Sequence, residues 1–300
     1  MFSKRFKFLF TIIGAILLMF NLTACSNKQS SNGKIKVITT TDFYGEVAKA
    51  VVGNKGSVQS IIDKPGIDPH DYEPTTGIAK DVSGADVTIA NGLGYDSWMN
   101  KLTKNDSATD ILVGENIMKK KSGANPHLWY DPQTMPKLAT YLAKELGKKQ
   151  PKNKAYFKNN AEKYIKSLKP VQNELDNLKQ TAKATNDKDV YVSEPVFDYS
   201  IADMGFKIGN KDFEKAIENG TDPSPRVVKN MRQGIIEQKI SFLVYNSQSD
   251  SKTVDNMVKL ANKNNIPVLK VTETLPANKT YKEWMLSQYK QLNKILIEEQ

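Results

Sequence analysis

The chain has 300 residues, with 43 lysines and arginines against 33 aspartates and glutamates, and only two histidines and one cysteine. A single cysteine excludes a disulfide framework, and with no thiolate cluster it disfavours Cu(I) and iron–sulfur centres. The lysines are scattered along helical faces without interleaved aromatics, which argues for a solvated basic surface and against nucleic-acid binding.

In chain order, Lys4, Arg5 and Lys7 precede an apolar run from Phe8 to Phe20. That run is shorter than the about 20 residues needed to cross a bilayer and reads as a secretory signal over residues 1–24. It ends in Leu22-Thr23-Ala24-Cys25, which resembles the lipobox of bacterial lipoproteins, where cleavage leaves a lipid-modified cysteine. The expectation is a chain lipid-anchored through Cys25 to the outer face of the cytoplasmic membrane. Two acyl chains suffice for stable anchoring. Residues 25–33 are polar and low in complexity, as a flexible tether would be.

Short β-rich runs then alternate with helix-like segments: Ile35 to Thr39, Val58 to Ile62, Val87 to Ala90, Ile111 to Val113, Val190 to Val192, Phe242 to Tyr245 and Val268 to Val271. Such alternation predicts βα units and parallel sheets. Between the fourth and fifth runs, Phe157, Ala161, Tyr164, Leu168, Val171, Leu175 and Leu178 recur at spacings of four and three, the seam of one long helix. Pro170 lies inside that seam and removes a backbone hydrogen bond, so a kink or break is expected there. The fold class is therefore α/β: two lobes, each a parallel-sheet βα sandwich, over residues 34–150 and 185–300, joined by one long helix over 151–184. A helical joint is stiff, and opening motions are expected to be small.

In open parallel sheets ligands bind beyond the carboxyl ends of the strands. His70 follows the second run and His127 the fourth; Glu194 follows the fifth and Glu273 the seventh. Both histidines follow a proline, and Pro69 and Pro126 hold Asp68 and Asn125 extended. Asp131-Pro132 reads as a helix N-cap followed by Pro at the first helical position, and Thr75 or Thr76 as the cap of the helix after Pro74. A lone histidine is more often structural than ligating, but the repeated Pro-His frame at strand ends points to ligation. Glu194 reads equally well as the first residue of a helix, and Glu273 as part of an exposed turn. Trp98, Trp129 and Trp284 read as packing residues. Two imidazoles and two carboxylates would make a borderline N/O site suited to Zn²⁺ or Mn²⁺.

The mature chain resembles the solute-binding lipoproteins of zinc and manganese ABC importers. The resemblance rests on the lipobox, on Pro69-His70-Asp71-Tyr72-Glu73-Pro74, on Ala85-Asp86-Val87 to Asn91-Gly92-Leu93, on Pro126-His127-Leu128-Trp129 and on the long connecting segment. It implies a metal ligand set of His70, His127, Glu194 and Glu273, one divalent ion carried as transported ligand, and delivery to a membrane permease with its cytoplasmic ATPase by a monomeric, non-enzymatic receptor. Glutamate as third ligand and the absence of a His-rich loop tilt the expectation toward Mn²⁺. Glu273 stands where the family usually has aspartate, which leaves the reach of that arm open. A metal-dependent surface hydrolase and an adhesin-type surface lipoprotein are the alternatives; neither a general base nor an adhesive motif is evident.

Overall fold

The computed structural model describes residues 33–104, 107–183 and 189–298. The signal segment and the expected lipidation site Cys25 lie outside the described residues. Among the described residues, seven strands form two wholly parallel sheets. In the first, β1 (Ile35–Thr41), β2 (Gly56–Ile62), β3 (Val87–Ala90) and β4 (Thr109–Leu112) run in the order β2-β1-β3-β4. In the second, β5 (Asp189–Val192), β6 (Ile240–Asn246) and β7 (Val268–Val271) run in chain order. Central β1 and β3 are buried nearly throughout, whereas edge strand β2 alternates between exposed and half-buried positions. This is why the inner strands read as unbroken apolar runs.

Helix α1 (Asp42–Val52) follows β1, α2 (Thr76–Ser83) follows the His70 loop, and α3 (Trp98–Thr103) follows β3. Thr75 caps α2 by accepting from the Ile78 amide at 3.3 Å, as expected. Helix α4 (Thr134–Lys149) begins three residues beyond Asp131. The Asp131 carboxylate accepts instead from the Gln133 amide at 2.9 Å. Pro132 thus belongs to a preceding turn and not to the helix, a correction to the expected start.

The connecting segment is two helices rather than one. Helix α5 (Lys154–Ser167) stops at Leu168, and α6 (Lys169–Ala182) restarts with Pro170 in its first turn. A proline there has no amide to offer to the preceding turn, so the break falls where the sequence demands it. The apolar seam survives the break: Phe157, Ala161, Tyr164, Leu168, Val171, Leu175 and Leu178 are all buried.

Beyond β5 come a 3₁₀ turn (Pro195–Phe197), α7 (Asp198–Asp203), α8 (Lys211–Glu218), α9 (Pro225–Ile236), α10 (Lys252–Lys263) and α11 (Tyr281–Glu298). One continuous apolar core runs from Val37 and Ile89 of the first sheet through Trp129 and Tyr130 to Val244 and Leu269 of the second. Hydrogen bonds cross with it: Tyr130 Oη donates to the Thr272 carbonyl at 2.6 Å, and Tyr281 Oη to the Trp129 carbonyl at 2.7 Å. Satisfied polar contacts inside a shared apolar core resist separation of the two sheets, because opening would expose both at once.

Candidate metal centre

Both histidine loops are built the same way. Asp68 Oδ1 accepts from the His70 amide at 2.8 Å, and Asn125 Oδ1 accepts from the His127 amide at 2.9 Å. Each Asx side chain closes a turn across the intervening proline, so the local frame is Asx-Pro-His and not merely Pro-His. The two loops leave the two edge strands of the first sheet, β2 and β4, and both are tied to the segment that follows the central strand β3, Asn91 to Trp98. Trp98 Nε1 donates to the Pro69 carbonyl at 3.0 Å, and Asn91 Nδ2 to the Pro126 carbonyl at 2.9 Å. Asn91 is itself fixed by Tyr44 Oη, which donates to its Oδ1 at 2.6 Å. Gly92 and Leu93 both sit at positive φ, 78° and 57°. That turn lets the Asp96 carboxylate accept the amides of Asn91 and Gly92 at 2.6 and 2.9 Å.

Asn125 also decides the chemistry of His127. Its Nδ2 donates to the Pro195 carbonyl at 2.6 Å, which fixes Oδ1 as the acceptor facing His127 Nδ1 at 2.8 Å. An amide oxygen only accepts, so Nδ1 carries the proton. Nε2 is then left with its lone pair free to bind a metal. This nitrogen is fully buried and has no hydrogen-bond partner among the described residues. An unpaired buried acceptor costs stability unless something fills it.

His70, His127 and Glu273 bring one ligand atom each to within 4.8 Å of one another. The Glu273 carboxylate lies 3.8 Å from His127 Nε2. Tyr95 Oη donates to its Oε1 at 3.0 Å, while its backbone amide donates to Gln248 Oε1 at 2.8 Å. The Tyr95 ring also meets the His70 ring edge to face at 4.7 Å. Glu273 is therefore a held arm rather than an exposed turn.

Glu194 is outside that three-residue group. Its backbone stands at the start of the 3₁₀ turn, yet its side chain caps nothing. Instead Ser249 Oγ donates to Oε1 and Asn246 Nδ2 to Oε2, each at 2.6 Å. Each oxygen keeps a lone pair free. Glu194, Glu273, Asp68, Asn246, Gln248 and Ser249 line one open cavity of about 460 Å³ beside the histidines.

One further carboxylate, which strand-end inspection does not find, enters the centre. Glu218, the last residue of α8, places Oε1 3.6 Å from His70 Nε2 and Oε2 3.9 Å from His127 Nε2. Burial pushes the Glu218 and Glu194 carboxyls above the usual range, against the pull of the two imidazoles on Glu218 and of Ser249 and Asn246 on Glu194. For Glu273 burial acts the same way, but His127 and Tyr95 outweigh it and hold the carboxyl down. Burial pulls the His127 imidazole down, and Glu273, Glu218 and Glu194 together more than reverse this. The centre is an electronegative pocket with two nitrogen donors, and among the described residues Glu218 and Glu273 have imidazoles and no lysine or arginine within ion-pair distance.

Residues 37–295 match the family model described as zinc-uptake complex component A, periplasmic (ZnuA). The chain belongs to the ZnuA family. The ZnuA match runs from within β1 to within α11 and so contains all four expected ligands and Glu218. The chain is 32% identical over 207 residues to the iron ABC transporter substrate-binding lipoprotein MtsA of Streptococcus pyogenes serotype M1, covering 63% of this chain and 66% of that relative. It is 27% identical over 274 residues to the manganese ABC transporter substrate-binding lipoprotein PsaA of Streptococcus pneumoniae, covering 84% of this chain and 85% of the relative. Among solved structures, the periplasmic zinc binding protein TroA of Treponema pallidum superposes with a TM-score of 0.71 at 18% identity, over 88% of this chain and 99% of that one. A Mn-bound mutant of a periplasmic metal binding protein from Candidatus Liberibacter asiaticus gives 0.71 at 19% identity, over 88% and 100%. The chain thus shares its fold with these solved structures.

Proposed function

We propose that this chain is the extracytoplasmic substrate-binding component of an ABC importer for a divalent metal, Mn²⁺ or Zn²⁺. It captures one ion between its two lobes and hands it to a membrane permease driven by a cytoplasmic ATPase. The observation that carries this is the buried, unpartnered Nε2 of His127, held in the metal-binding tautomer and facing Glu273. His70, His127, Glu194 and Glu273 are the proposed ligands, with residues 34–150 and 185–300 as the lobes and 151–184 as the joint. Donors about 2.1 Å from one ion lie no more than about 4.2 Å apart. Three donors sharing one ion at that distance lie at most about 3.6 Å apart when evenly spaced, so the three-residue group, whose ligand atoms lie within 4.8 Å of one another, needs at most about 0.7 Å of inward movement at each donor. Family membership makes the chain a transport component and not an enzyme, which sets aside the hydrolase alternative.

A carboxylate-rich, thiolate-free donor set suits Mn²⁺ and Zn²⁺, and the Irving–Williams order makes the bare site tighter for Zn²⁺. The names of MtsA and PsaA, iron and manganese receptors, are consistent with a site of this kind. The lipobox-like segment ending at Cys25 supports lipid anchoring of the receptor outside the membrane. The test is calorimetric titration of the chelator-stripped mature protein, with elemental analysis of protein purified without added metal. One equivalent of Mn²⁺ or Zn²⁺ bound at a single site is expected; no uptake of either ion would end the proposal.

A further inference from the structure

We propose that Glu218 is a direct ligand of the transported ion, completing a five-residue N₂O₃ set; this rests on the metal-receptor reading above. The first support is distance. At 3.6 Å from His70 Nε2 and 3.9 Å from His127 Nε2, the two Glu218 oxygens already satisfy the about 4.2 Å limit for donors sharing one ion. Neither contact is a hydrogen bond, which would need about 3.2 Å or less. The carboxylate therefore stands beside both imidazoles at the separation of co-ligands.

The second support is placement. Helix α8 ends in a Schellman motif: the Thr221 amide donates to the Ala216 carbonyl at 2.9 Å and the Gly220 amide to the Ile217 carbonyl at 2.8 Å, with Gly220 at φ 64°. Thr221 Oγ1 adds a bond to the same Ala216 carbonyl at 2.9 Å. The chain after Glu218 is therefore fixed, and Gly220, Thr221 and Asp222 border the cavity beside the site. The third support is charge. Glu218 is largely buried and, among the described residues, has the two imidazoles and no lysine or arginine within ion-pair distance, so a dication is the partner its position lacks.

A fifth residue contributing oxygen has a consequence for selection. His70, His127, Glu194 and Glu273 alone would close a tetrahedral site, the geometry Zn²⁺ prefers. Glu218 raises the donor count toward the five or six oxygen-rich positions that Mn²⁺ accepts. Its removal should weaken Mn²⁺ binding more than Zn²⁺ binding.

The experiment compares wild type, Glu218→Gln and Glu218→Ala, each stripped of metal and checked for native circular dichroism and an unreduced metal-free melting temperature. Titrations with Mn²⁺ and with Zn²⁺ are paired with the visible absorption of the Co²⁺-loaded proteins. Expected are a loss of about tenfold or more in Mn²⁺ affinity in both variants, a smaller loss for Zn²⁺, and a Co²⁺ band that intensifies as the site approaches four-coordination. The inference is overturned if Mn²⁺ affinity stays within about twofold of wild type. It is equally overturned if affinity falls with the Co²⁺ band unchanged, because Glu218 would then only position other ligands. A wild-type protein that binds no ion sinks the metal-receptor reading itself, which separates the two failures.

Discussion

Replacing Asn125 with alanine isolates the group that prepares His127. Three side-chain hydrogen bonds disappear: those that Oδ1 accepts from the His127 amide at 2.9 Å and from His127 Nδ1 at 2.8 Å, and the one that Nδ2 donates to the Pro195 carbonyl at 2.6 Å. At about 1 kcal/mol each, the metal-free protein should lose about 2–3 kcal/mol. For a chain of this size that is about 5–10 °C in melting temperature. Metal affinity should fall separately by about 10–100-fold, because the imidazole is no longer held in its Nδ1–H tautomer. The contrasting variant is Asn125→Asp. It keeps both acceptors for His127 and makes the imidazole more basic, but it sets a carboxylate oxygen against the Pro195 carbonyl. Melting temperature should drop while affinity holds or rises. Calorimetric titration with Mn²⁺ or Zn²⁺ at pH 7.5, alongside thermal unfolding of metal-free protein, separates the two effects. Affinity within about twofold of wild type in Asn125→Ala would refute the role assigned to this residue.

Metal affinity should decline as pH falls, starting above the ordinary imidazole value of about 6.5. The surrounding carboxylates raise the His127 pKa, so protons compete with the metal earlier in an acid titration. Affinities measured from pH 8 to 5.5 test this, and a flat profile would exclude His127 as a ligand. Burial raises Glu214 to about 8 and Asp198 to about 6. Both folded values lie above the unfolded ones, so the folded state binds more protons in between. Their contribution is present below about pH 4 and is lost as pH rises to about 8. Glu214→Gln should flatten the fall in metal-free melting temperature between pH 5 and 8; an unchanged slope would refute it. Saturating metal at 100 times Kd should add about 2.7 kcal/mol of stability, about 5–10 °C, and chelator should reverse it. Small-angle scattering should show little change in radius of gyration on metal binding, since Tyr130 and Tyr281 already bridge the two halves; a change of several ångströms would contradict that.

The seven strands of the described residues were visible in the sequence because each carries a short β-branched or apolar run, and inner strands buried on both faces make that run nearly continuous, as in β3, where every residue is buried. The break at Leu168 was visible for a different reason: Pro170 removes a specific hydrogen bond whatever surrounds it. The start of α4 was misplaced because Asp131-Pro132 fits both a helix cap and a preceding turn, and only the backbone after it distinguishes them.

The site divides along the same line between local and non-local information. His70 and His127 announce themselves through the repeated Pro-His pair, whereas the Asx ahead of each, Asp68 or Asn125, was read only as a residue held extended by the proline and not as the turn-closing group it is. What sequence does not encode locally is depth: the same frame leaves His70 exposed and His127 with no exposed surface. That difference comes from what packs over each loop. The His127 ring meets Trp129 at 5.2 Å, and His127 sits beneath the Asn125 contacts with Pro195 and Tyr199. Tyr95, Asn246 and Ser249 were missed because their role is to bond a carboxylate 178, 52 or 55 positions away. Glu218 was missed because it arrives on a helix end rather than a strand end, the one place the open-sheet rule does not direct attention. Its only local sign is the Asn-Gly that follows it, which predicts where a helix stops and says nothing of what that helix points at. A rule drawn from sheet topology locates the crevice and the arms rising from the strands, while arms that reach in from covering helices become visible only once those helices are packed.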